Sequence, residues 1–98
     1  MKKIFPFNVD NKKPERQVDS IKKEVKKYMG RERRKKLPEG VDFWDFDCKV
    51  GPSKEEAEVI HPAEINKGID AQFTKQSAQV YIEVLVKHGI RKKKPKEA

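Results

Sequence analysis

The sequence predicts a two-layer α/β domain, and three observations carry that expectation. Short runs in which apolar side chains alternate every second residue occur near the start, in the middle and near the end of the chain. Between them lie two stretches whose apolar residues recur at helical spacing. Clusters of Pro, Gly, Asn and Asp separate the runs, where turns are needed. The resulting order is β-α-β-α-β. Long helical crossovers favour parallel, right-handed neighbours, so the expected architecture is a three-stranded sheet with both helices on one face. An α+β arrangement with one antiparallel strand is the competing topology. Ninety-eight residues allow one hydrophobic core. The domain is therefore assigned to residues 1–89, and residues 90–98, Lys-rich and containing Pro95, to a disordered basic tail.

Each element has its own signature. In Ile4-Phe5-Pro6-Phe7-Asn8-Val9 the side chains of Phe5, Phe7 and Val9 fall on one side of a strand. Pro6 cannot donate to a sheet ladder, so this strand belongs at an edge or is irregular. Asp10 to Lys13 form a turn, and Pro14 with Glu15 suits the first turn of a helix. Val18, Ile21, Val25, Tyr28 and Met29 then make one narrow apolar stripe. Beyond Met29 a basic extension runs to Lys36, and Pro38 and Gly40 stop it. In 41–50, Trp44, Phe46, Cys48 and Val50 face one way, and Asp45, Asp47 and Lys49 the other. Residues 54–60 are compatible with a loop, a short helix or a further extended piece. A second helix begins near Pro62 with the stripe Ile65, Ile69 and Phe73, interrupted by Gly68. The last strand, 80–86, turns Val80, Ile82, Val84 and Val86 inward, and Tyr81 and Leu85 partly cover its other face.

Charge is unevenly distributed. The chain holds 24 Lys and Arg against 16 Asp and Glu, a net charge of +8. Residues 1–39 carry 14 basic and 6 acidic side chains, residues 40–89 carry 5 and 9, and residues 90–98 carry 5 and 1. A basic first third followed by an acidic middle raises the expectation of a polyanion partner, or of opposed faces meeting between copies. A single cysteine, Cys48, excludes an internal disulfide. No apolar run suits a secretory leader or a membrane span, so a cytoplasmic protein with no membrane partner is expected.

The first helix is the leading candidate site. Lys23, Lys27 and Arg34 project opposite the apolar stripe, with Lys26 and Arg31 flanking them, and Arg33, Lys35 and Lys36 complete the basic run. Lysines and arginines at this density neutralise phosphates and release counterions, which supplies affinity without sequence preference. The plainer reading is a solvated face that keeps a small protein in solution. Exposed aromatic stacking platforms, zinc knuckles, RNP-type motifs and GXXG loops are absent.

Asp45, Asp47 and Lys49 share one side of a strand, where two carboxylates and an ammonium suggest weak Mg²⁺ ligation of a nuclease type. The ordinary alternative is a charge-balanced polar face, and no third acidic ligand follows from spacing. Cys48, His61 and His88 lack metal-site spacing. Cys48 sits on an apolar side, and His61 helps to start the helix at Pro62. There is no phosphate-cradling glycine loop, no G-x-S-x-G and no H-E-x-x-H.

The block from Arg31 to Cys48 (RERRKKLPEGVDFWDFDC), with Ala57 to Lys67 (AEVIHPAEINK), resembles a family of small bacterial proteins known only as a domain of unknown function. The likeness extends over nearly the whole chain. It implies a bacterial, cytoplasmic protein and brings no activity, cofactor or binding residue with it. The expectation from the residues is a non-enzymatic accessory protein, without cofactor, that binds RNA or DNA through Lys23, Lys26, Lys27, Arg31, Arg33, Arg34, Lys35 and Lys36. The rival from another class is a protein–protein adaptor that uses the acidic strand face around Trp44. A monomer or weak dimer is expected.

Overall fold

The computed structural model describes residues 1–90. The segment expected to be a disordered tail lies, from Arg91 onward, outside the described residues. Strand β1 (Lys2–Pro6), helix α1 (Pro14–Arg33), strands β2 (Phe43–Gly51) and β3 (Glu58–Ile60), helix α2 (Ile65–Thr74) and strand β4 (Gln79–Gly89) follow in order, with a 3-10 turn at Pro62–Glu64 leading into α2.

Two expectations are corrected. Among the described residues the sheet has four strands and not three, because the undecided segment 54–60 supplies β3 as the second arm of a hairpin with β2. Neighbouring strands are antiparallel and not parallel, in the order β1-β4-β2-β3. The crossover rule nonetheless operates at one remove. β1 and β2, joined by α1, run parallel to each other with β4 inserted between them. β3 and β4, joined by α2, are likewise parallel with β2 between. Each β-α-β unit is thus split by one strand of the other.

The strands occupy positions that their residues suit. β4 carries apolar residues on both faces and is central; it pairs along nine residues with β2 and five with β1. β1, which holds Pro6, is an edge strand, and three-residue β3 forms the other edge. β1 begins and ends earlier than its alternation predicts. Phe7 lies beyond it and still donates its N–H to Ala78 O at 3.0 Å, while Val9 bridges Lys12 across a turn with Asn11 at φ 62°.

Both helices pack on one face of the sheet. α1 contributes Val18, Ile21, Val25 and Met29 to the core, α2 contributes Ile65 and Ile69, and the strands meet them with Phe5, Phe46, Cys48, Val50, Val80, Ile82 and Val84. Phe73 stands edge-on to Phe7, with ring centroids 5.4 Å apart. At Gly68 α2 lies close against β2 and β3. A Cβ there would lie 2.8 Å from Ile60 Cδ1 and 3.3 Å from Val50 Cγ1. Its place inside a helix reflects close packing.

α1 ends at Arg33, earlier than the basic run suggests. Pro38 disfavours helical backbone at Leu37. The Trp44 indole N–H donates to Lys35 O at 2.8 Å, drawing the chain off the helix axis and onto β2. Gly40, at φ 83°, completes the reversal into that strand.

Candidate nucleic-acid interface

Because α1 buries one stripe, its remaining faces are dictated by the 3.6-residue period. Arg16, Lys23, Lys27 and Arg34 fall within an arc of about 40° opposite the buried stripe, and all four are exposed. They extend along about 27 Å of helix axis. Between Ser20 and Arg34 this arc carries no acidic side chain. Arg16 is absent from the set drawn from the sequence, although it stands seven residues before Lys23. Extending the same register back to Pro14 would have found it.

The eight candidate cations do not share one face. Lys23, Lys27 and Arg34 form the outer ridge, Arg31 lies to one side of it, and Lys26 and Arg33 lie on the other side, towards α2. Lys35 is neutralised by Glu32 at 2.5 Å. That ammonium, foremost, holds the Glu32 carboxyl below the usual carboxylate range. Arg34 is tied to the end of α1 by its Nε, which donates to Gly30 O at 3.2 Å. The Arg33 guanidinium lies over the Phe46 ring, 5.2 Å from its centroid. Among the described residues Lys23, Lys26, Lys27, Arg31 and Lys36 make no ion pair.

The other charges are placed differently. Lys3 bonds Glu24 at 3.0 Å, and Lys22 bonds Asp70 on α2 at 2.6 Å. On the sheet face away from the helices, Lys87 sits between Asp47 at 2.7 Å and Asp45 at 3.7 Å. Contact with Asp47 is the main reason that Lys87 titrates above the usual lysine range. Lys49 stands opposite Glu83 and Glu83 opposite Lys2 in the cross-strand register. Asp45 and Asp47, the weak metal candidates, therefore share one ammonium. No group of three or more potential metal-ligating side chains occurs among the described residues. The acidic face and Trp44, joined in the adaptor reading, lie on opposite faces of β2, as successive strand residues must. Trp44 points to the helix side, with its ring 5.6 Å from His88.

Cys48 is 1% exposed in the core. Burial, with Asp47 and Asp45 next in effect, pushes its thiol up to about 11. His61 accepts the Ala63 N–H on Nδ1 at 3.1 Å and caps the 3-10 turn. Among the described residues no helix is long and apolar enough to cross a membrane.

These features define a two-layer α/β protein with a cationic helical ridge on one side and a charge-paired sheet face on the other. The chain belongs to the DUF6172 family, a family of unknown function, whose model matches residues 1–95. It has no significant match among curated proteins or solved structures.

Proposed function

We propose that this protein binds a polyanion of the RNA or DNA type, without catalysis, through the outer face of α1. One observation carries the reading: Lys23, Lys27 and Arg34 form an acid-free arc along the helix, with Arg16 in the same register before Asp19, while the acidic side chains of β2 are paired on the far side of the sheet. Four to six phosphate contacts give a salt dependence that is steep and indifferent to sequence. Arg31, flanking the ridge, and Arg33 lie in the last turn of α1, where the helix dipole also favours cations.

The test is fluorescence anisotropy with a labelled oligonucleotide of arbitrary sequence, titrated from 50 to 200 mM salt. Affinity is expected to fall on the order of 10²- to 10³-fold over that range. The double substitution Lys23→Glu/Lys27→Glu should weaken binding at every salt concentration and flatten the slope. Absence of binding at 50 mM salt, or an unchanged slope in the double variant, would overturn the proposal.

A further inference from the structure

Beside the ridge, a groove of about 240 Å³ runs between the C-terminal half of α1 and the start of α2. Its walls carry Lys26 and Arg33 from α1 and Asn66 from α2, all exposed, and its floor includes Met29 and Ile65 from the core. We propose that this groove seats one unpaired nucleotide, which makes single-stranded nucleic acid, and not a duplex, the preferred target. The inference rests on the polyanion reading above and adds the class of strand.

Four observations support it. The groove borders the ridge: Lys26, on its wall, stands three residues after Lys23, so the two are neighbours on the helix surface and a strand held on the ridge can turn towards the opening. Its polar groups are complementary to a nucleotide. Among the described residues neither Lys26 nor Arg33 makes an ion pair, and the Arg33 guanidinium stands over the Phe46 ring, which leaves its N–H donors available. The Asn66 amide offers both a donor and acceptors, as base edges require. Finally, the volume, below the roughly 300 Å³ at which drug-sized pockets begin, limits what can enter to one splayed base, with its sugar and phosphate left outside beside Lys26 and Arg33. The bases of a duplex are stacked inside it and cannot enter. The backbone amides at the adjacent turn contribute little. Ala63 N–H is taken by His61 Nδ1 and Glu64 N–H by His61 O. Recognition here therefore depends on side chains.

The experiment compares a 5′-labelled 12-nucleotide single strand, as RNA and as DNA, with the duplex of the same sequence. Ala63, exposed at the rim, is replaced in Ala63→Phe to fill the groove without altering charge; Asn66→Ala removes the amide. Circular dichroism and thermal melting check that both variants fold. The parent should bind the single strand at least tenfold more tightly than the duplex. Ala63→Phe should lose most of that preference, and Asn66→Ala should lower it, while duplex binding and its salt slope stay unchanged. Equal binding of strand and duplex by the parent, or full single-strand preference in both variants, overturns the groove inference and leaves the ridge reading standing. Failure to bind either form at low salt overturns both.

Discussion

Cys48 is set deep in the sheet, and the consequences are chemical. Its thiol sits among apolar neighbours with Asp47 and Asp45 beside it in sequence, so burial and negative charge both disfavour the thiolate. The native protein should react with a disulfide reagent at pH 8 far more slowly than the unfolded chain, a comparison that one absorbance trace provides. The same shift has a sign for stability. The folded thiol holds its proton to about 11, against the ordinary value of 9.0. Its contribution is fully present below pH 9 and is lost as pH rises to about 11. The melting temperature of the parent should therefore fall more steeply across that window than that of Cys48→Ala. Parallel curves would show that this thiol is not the responsible group. At the same scale, Lys35 is neutralised by a carboxylate, while Arg33 is positioned by a ring and keeps its charge. Glu32 lies one helical turn from Lys35 and was visible in the sequence. The Phe46 ring beneath Arg33 comes from another element, and no spacing rule reaches it.

Two contacts govern the behaviour of whole elements. The Trp44 indole bond to Lys35 O fixes the end of α1 against the start of β2. Trp44→Phe should cost about 1 kcal/mol. Hydrogen exchange should also quicken in residues 34–42, and unchanged exchange there would remove this contact from the account. Gly68 is the second. Replacing a helix-interior glycine by alanine ordinarily adds about 1 kcal/mol. Here the new methyl would displace Ile60 Cδ1 and press on Val50 Cγ1 at 3.3 Å and Val50 Cβ at 3.4 Å, in a buried valine with little room to give, so Gly68→Ala should melt no higher than the parent. A rise of several degrees would show that α2 has room to spare. By contrast Ile69, fully buried, should lose about 2–5 kcal/mol on truncation to alanine, as read by denaturant unfolding. The helices, their buried stripes and three of the strands were legible from periodicity alone. β3 was not, because three residues are too few to display a period.

For the molecule as a whole, the position of charge matters more than its sum. Lys23→Glu/Lys27→Glu and Lys2→Glu/Lys49→Glu change net charge equally. The first pair is on the outer ridge, and the second is on the sheet face next to Glu83. Only the ridge pair should reduce the salt slope of oligonucleotide binding; equal losses would indicate attraction by overall charge alone. The excess of acid in the middle of the chain does not cancel the ridge. β2 carries Asp45 and Asp47 on the sheet face that the helices leave open, where Lys87 pairs with both.

Local pattern determined much of this protein. Two-residue and 3.6-residue periods depend only on near neighbours along the chain, so they set which side chains of α1 are buried and which carry charge outward. The tertiary structure alone decided that β4 divides β1 from β2, that the sheet is antiparallel, and that Lys22 meets Asp70. Those outcomes depend on which strand can bury both faces and on groups brought together from distant positions. A sequence period holds no record of either.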